Sequence, residues 1–279
     1  MSLDLDERQR AMLQEMNIRV WWPQAAVAIE AVAPPAPRAP LTPSAPEFIV
    51  PRAEPARSGT INPSENGATP ALQPSPTGID TMDWPALQAA VAGCQACKLC
   101  AGRKNTVFGV GQAAPAPGLA PHADWLIVGE APGENEDLAG EPFVGQAGKL
   151  LDNMLRAIGL DRRTNVFIAN VIKCRPPGNR NPEPEEVAQC EPYLRRQIEL
   201  LQPKIILAMG RFAVNSLLQA TVPEVHKVPL GKLRGQTHQY RGVPVIATYH
   251  PAYLLRNLPD KAKAWADLCL ALDVLKRGA

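Results

Sequence analysis

The sequence predicts an α/β protein: a three-layer α/β/α sandwich around a central, mainly parallel four-stranded sheet, preceded by a disordered Pro/Ala-rich N-terminal extension. Three observations carry that reading. From about residue 81 onward, short apolar runs alternate with segments of helical periodicity. Those runs are hydrophobic throughout, as strands covered on both faces are. Polar clusters follow the ends of the runs, on the sheet edge where ligands bind in such folds.

In chain order, residues 4–20 place Leu5, Met12, Leu13, Met16 and Val20 on one face of a short amphipathic helix that runs into Trp21, Trp22 and Pro23. Residues 1–23 therefore form a unit that docks either on the chain's own folded domain or, through its Trp pair, on another protein. Residues 24–80 are Ala/Pro/Ser/Glu-rich without periodicity and read as a disordered linker. Of the 30 prolines, 13 lie in residues 1–80. Charge divides at the same place. Residues 1–80 carry 6 basic and 9 acidic side chains, net −3, whereas residues 81–279 carry 23 and 18, net +5, a bias that permits a polyanionic partner.

Within residues 81–279, Trp125 to Val128 is an apolar strand ending at Gly129. Gly148 to Ile158 puts Leu151, Met154, Leu155 and Ile158 on one helical face and closes at Gly159. Val166 to Ile172 is a second strand, and Glu185 to Leu201 a helix stopped by Pro203. Lys204 to Met209 is a third strand, Arg211 to Leu218 a helix, Val243 to Tyr249 a fourth strand and Asp260 to Lys276 a closing helix. The acidic segment from Gly129 to Asp137 holds too much Gly and Pro for a helix and is expected as a loop.

No apolar run is long enough to span a membrane, and the acidic N-terminus has no apolar core of a secretory signal, so a cytoplasmic protein is expected. Its six cysteines then suit metal binding or chemistry better than disulfides. Cys94 and Cys97 form a CxxC, and Cys174 and Cys190 flank the loop after the second strand. Four such thiolates fit zinc or an iron–sulfur cluster equally well. Cys100 extends the first pair into a ligand-like run, and Cys269 is expected as a buried small apolar residue in the last helix.

Six motifs occur in order. They are Cys94-Gln-Ala-Cys97; Gly129-Glu-Ala-Pro-Gly133 with Glu136-Asp137; Pro142-Phe143-Val-Gly145; Asn170-Val-Ile-Lys-Cys174-Arg-Pro-Pro177; Cys190; and His250-Pro-Ala-Tyr-Leu-Leu-Arg-Asn257. Together, over about residues 84–277, they resemble the family 4, iron–sulfur uracil-DNA glycosylases. The resemblance implies that residues 81–279 are a single catalytic domain. That domain would flip uracil out of DNA, hydrolyse its N-glycosidic bond without a lyase step and leave an abasic site, initiating base excision repair.

By the same resemblance, Phe143 stacks on the uracil. Asn170 reads its edge, since one amide pairs with O4 and N3–H together and rejects the reversed pattern of cytosine. His250 donates to O2 as negative charge develops there. Glu130 and the backbone of Ala131 line the pocket, and Glu136 stands near C5, where it would exclude a thymine methyl. The position that carries a water-activating Asp in the best known uracil-DNA glycosylases is taken here by Ala131, so either the reaction leans on dissociation of the uracil anion or Glu130 or Glu136 orients the water; dissociation is expected to supply the bulk of the rate, with Glu130 assisting. Leu254, Leu255 and Arg256 are expected to wedge into DNA and pair with phosphate, joined by Lys173 and Arg175 from the cysteine loop. Cys94, Cys97, Cys174 and Cys190 would hold a structural [4Fe–4S] cluster. The expected protein is a monomer that meets uracil-containing DNA, does not meet a membrane, and has an unidentified partner for residues 1–22. The rival from another class is a non-catalytic, metal-stabilised nucleic-acid-binding protein.

Overall fold

The computed structural model describes residues 77–112 and 121–278, together with Glu15. The expected docking helix and linker fall outside those residues, apart from Glu15, which is helical and exposed, and the end of the linker. There a short turn at Ile79–Thr81 buries Ile79, so ordered packing begins slightly before the expected boundary.

Helix α1 (Trp84–Ala92) is capped by Asp83, whose carboxylate accepts from Ala86 N at 2.9 Å. The edge strand β1 (Val110–Gly111) precedes β2 (Trp125–Gly129). Next come α2 (Glu134–Ala139), α3 (Gln146–Ala157), β3 (Val166–Asn170) and α4 (Pro184–Leu201). The chain continues through β4 (Ile205–Met209), α5 (Arg211–Leu218), the single turn α6 (Leu230–Leu233), and the hairpin β5 (Thr237–Tyr240) and β6 (Val243–Thr248). It closes with α7 (Pro251–Leu254) and α8 (Lys261–Gly278). Among the described residues no helix is long and apolar enough to cross a membrane.

The sheet has six strands in the order β1-β3-β2-β4-β6-β5, two more than expected. The central four are parallel, as the sequence indicated, and β1 and β5 are antiparallel edges. Both edges escape a search for apolar runs for a physical reason. β1 is two residues long, and β5 reads Thr-His-Gln-Tyr because its outer face meets water. The central strands separate two cores. Leu126 and Val128 of β2 pack on one side against residues of α1, α4 and α5, while Trp125 and Ile127 pack on the other with residues of α3 and α8. Helices on both faces make the expected three layers.

A second correction concerns α2. The Gly and Pro of the acidic segment stop at Gly133, and the next six residues form a helix with Glu134, Glu136 and Asp137 in its first turn, where the helix dipole favours negative charge. Gly140, at φ 74°, ends it in the left-handed conformation. The buried Asp137 carboxylate accepts from Lys104 N and Asn105 N, tying the helix to the segment that follows the first cysteines.

Candidate active site

The parallel registers bring the carboxyl ends of the central strands level: Gly129 of β2 pairs with Asn170 of β3, and Met209 of β4 with Thr248 of β6. Just beyond them opens a cleft of about 780 Å³ whose lining includes Glu130, Ala131, Glu136, Phe143, Asn170 and His250. All six residues expected at the substrate thus meet in one place, although they come from four separate segments.

Asn170 is buried, and among the described residues its Oδ1 has no hydrogen-bond partner. A buried acceptor left open is costly unless something fills it. The backbone of Asn170 is fixed from beneath: Lys173 Nζ donates to the Asn170 carbonyl at 2.8 Å and to Gln197 Oε1 at 2.7 Å, and Gln197 Nε2 donates to the Phe108 carbonyl at 2.9 Å. Lys173 is therefore a correction. It is 1% exposed, its ammonium faces the interior, and it cannot reach a DNA phosphate.

His250 caps α7, and its Nδ1 accepts from Ala252 N at 3.2 Å. That contact leaves the proton of the neutral ring on Nε2, the nitrogen free to donate. Burial holds the imidazole well below its usual range, at about 4, so it is neutral at physiological pH. The Phe143 ring lies 5.3 Å from the imidazole at an interplanar angle of 27°. Phe143 itself has φ 54°, a conformation in which a bulky side chain is a genuine outlier.

The two acids of the acidic segment have different surroundings. Glu130 is half-buried, and desolvation pushes its carboxyl up to about 7. Both oxygens of Glu136 accept backbone N–H groups: Gly133 N at 3.1 Å, Val144 N at 3.0 Å and Gly145 N at 3.2 Å. Glu136 thus lines the cleft while fastening the loop before α2 to the loop bearing Phe143.

At the rim, Arg256 is exposed and lines the cleft, and Leu255 beside it is 43% exposed. Leu254 is a further correction: it is 0% exposed and packs in the same core as Met154 and Leu155, because the single turn of α7 points it inward. Leu258, which the sequence reading did not single out, is also an exposed leucine, at 58%. Arg175 donates to Asn179 Oδ1 at 2.8 Å and lies 3.6 Å from Glu134, so it joins the loop after β3 to α2.

Cys94, Cys97, Cys100, Cys174 and Cys190 line one small pocket on the far side of Lys173. Arg103 Nη1 donates to Cys174 Sγ at 3.3 Å. Burial pushes the Cys174 thiol up to about 11 and Cys190 up to about 12. Ligating thiols must lose their protons, which burial opposes here; a bound cationic centre would offset that cost, and the Arg103 guanidinium already sits against Cys174. Among the described residues no three His, Cys, Asp or Glu side chains converge as on a single ion. A four-iron cluster, in which each iron takes its own thiolate, does not require that convergence. The donor set therefore fits a cluster, with Cys100 as a fifth neighbour. Cys269 is half-buried rather than enclosed in the core.

Residues 117–269 match the family model of the uracil DNA glycosylase superfamily. The chain is 44% identical over 174 residues to a type-4 uracil-DNA glycosylase of Saccharolobus solfataricus, covering 61% of this chain and 76% of that protein. It is 44% identical over 174 residues to one of Thermotoga maritima, covering 62% and 83%. Similarity to a type-4 enzyme of Pyrobaculum aerophilum is 42% over 193 residues, covering 68% and 93%.

Proposed function

The chain belongs to the uracil DNA glycosylase superfamily and is a DNA glycosylase that acts on uracil; from that premise we propose how its cleft does so. The observation that carries the proposal is the open acceptor of Asn170. A flipped uracil offers N3–H to Asn170 Oδ1 and O4 to its amide N–H, and thereby closes a buried acceptor that the described residues leave unpaired. Cytosine reverses both partners and is refused. Phe143 stacks on the ring, and the neutral His250 donates from Nε2 to O2 as the glycosidic bond breaks and the base leaves as an anion. Among the described residues no amine lines the cleft to attack C1′, and the enclosed Lys173 does not reach it, so water completes the reaction and an abasic site remains. Release of uracil from a single-uracil oligonucleotide, read as alkali-sensitive cleavage, should be strong for the native protein and nearly lost in Asn170→Ala. Equal activity in the two would remove edge reading from the account.

Glu130 orients the water in its ionised form. Single-turnover rates of the native protein should then rise as pH passes about 7, while Glu130→Gln should be about tenfold slower at pH 8 and lack that rise. Stability moves the opposite way. Burial raises the carboxyl above its usual 4.5, so the penalty for holding it ionised is absent below 4.5, grows as pH climbs and is complete above about 7. Glu130→Gln should accordingly melt at a higher temperature than the native protein at pH 8 and at the same temperature at pH 4. A lower melting temperature at pH 8 would show that the carboxylate is satisfied where it stands.

Cys94, Cys97, Cys174 and Cys190 hold a [4Fe–4S] cluster, which when bound ties the segment before β1 to the loop after β3 and to α4. The role is structural, since the thiols stand behind Lys173 rather than in the cleft. Purified protein should be brown, with about four irons per chain, and Cys174→Ala should lose both colour and iron; zinc at one ion per chain would overturn the cluster. Leu255, Leu258 and Arg256 form the DNA-facing rim, the leucines entering the gap left by the flipped base and the arginine meeting phosphate.

A further inference from the structure

Phe143 keeps a backbone conformation that its side chain disfavours, and such a residue persists only where its surroundings hold it. The surroundings are specific. Arg162, at the turn between α3 and β3, donates from Nη2 to the Phe143 carbonyl at 2.8 Å and from Nη1 to the Pro142 carbonyl at 3.3 Å. Its Nε donates to Asp152 Oδ1 of α3 at 2.8 Å. The Arg162 side chain is only 16% exposed, and its fork is directed at these three acceptors. From the other side, Gly148 of α3 lies so close that a methyl there would overlap the Phe143 carbonyl. The following N–H groups, of Val144 and Gly145, are taken by Glu136.

We propose that Arg162, oriented by Asp152, is a positioning residue that sets the Phe143 ring at the angle needed to receive the flipped uracil. It does not line the cleft and acts only through Phe143. A lysine at this place would lack the planar fork that reaches both carbonyls and Asp152 Oδ1 at once, and an apolar side chain would offer no donor at all. The two carbonyls would then lie against a helix with no donor, and the peptide would be released from the left-handed conformation. The uracil platform would turn with it. The inference rests on the assignment of Phe143 to the uracil face.

The test compares the full-length native protein with Arg162→Met, Arg162→Lys, Asp152→Asn, Phe143→Leu and the double variant Arg162→Met/Phe143→Leu. Single-turnover excision and binding to abasic-site DNA are measured for each. Arg162→Met should lower excision about 10- to 100-fold, as a misplacement of about 1 Å does, with abasic-DNA affinity unchanged within about twofold because no base occupies the pocket. Arg162→Lys should recover part of the loss. The double variant should be no slower than Phe143→Leu alone, since Arg162 has nothing left to position. Multiplying losses in the double variant, or weaker abasic-DNA binding by Arg162→Met, would make Arg162 a general structural or phosphate-binding residue and overturn the proposal. Full activity of Phe143→Leu would instead overturn the uracil-face assignment, whereas a slow Phe143→Leu beside a fully active Arg162→Met sinks the clamp alone. If Arg162→Met does not fold, Arg162→Lys and Asp152→Asn, each combined with Phe143→Leu, decide by the same comparison.

Discussion

Replacing His250 by alanine should slow uracil release by about 10²–10³-fold, the loss typical of removing one preorganised donor to a developing oxyanion. The expectation follows from two contacts. Ala252 N donates to Nδ1, which fixes the tautomer, and burial keeps the ring neutral down to about pH 4. Nε2–H is then always present at physiological pH, aimed by the backbone of α7 rather than by a carboxylate partner. A consequence for pH dependence separates this arrangement from an imidazolium mechanism. In Glu130→Gln, where the ionisation near 7 is gone, the rate should stay flat from pH 8 to about 5. A limb near 6.5 surviving in that variant would assign the active form to the charged ring. Stability carries the same sign: the folded-state value lies below the ordinary 6.5, so His250 destabilises the native chain progressively as pH falls from 6.5 through about 4.

Gly129→Ala should be nearly as damaging to activity, about 100-fold in kcat/KM, without removing a polar group. Gly129 ends β2 against Asn170 and Phe143, two of the residues that meet uracil. A methyl group there would overlap Asn170 Oδ1 and stand 2.7 Å from the Phe143 ring. Neither neighbour can yield freely, because the Asn170 carbonyl is pinned by Lys173 and the Phe143 carbonyl by Arg162. The acceptor and the platform must therefore both shift, by amounts that positional catalysis does not tolerate. The change lies at a strand end, so the sheet should survive: the variant should fold, bind abasic DNA and release little uracil. Native-like excision would show that the pocket adapts and that the close approach at Gly129 has no functional weight.

The strand and helix series from β2 to α8 was legible because apolar runs and helical faces persist over five or more residues, enough to fix an element's type. The boundaries held within a few residues: the helix expected from Arg211 to Leu218 is α5, and that expected from Glu185 to Leu201 starts one residue earlier at Pro184. The edge strands and α2 were missed where the signal is short or local. Side-chain direction was the larger gap. Leu254 and Leu255 are adjacent and chemically alike, yet one fills the core and the other faces solvent. Lys173 looks like a phosphate ligand in a basic loop, but the turn after β3 carries it inward to Gln197, 24 residues on. Arg162 carries no motif at all.

The sequence by itself determined the kind of fold, the residues that would converge at the strand ends, and the four thiols set apart from them. The fold and the polar clusters at the strand ends follow from short-range pattern and from the rule that parallel strands present their carboxyl ends together, whereas the individual substrate residues and the choice of four thiols follow from the resemblance of six ordered motifs to a known family. Only the tertiary structure decided the state of those residues: that the Asn170 acceptor is open, that His250 is neutral with its proton on Nε2, that Glu130 ionises near 7, and that Phe143 is held against its own preference. Each of these depends on desolvation and on hydrogen bonds between groups distant in the chain, and such terms are set by the packed arrangement rather than by the order of residues.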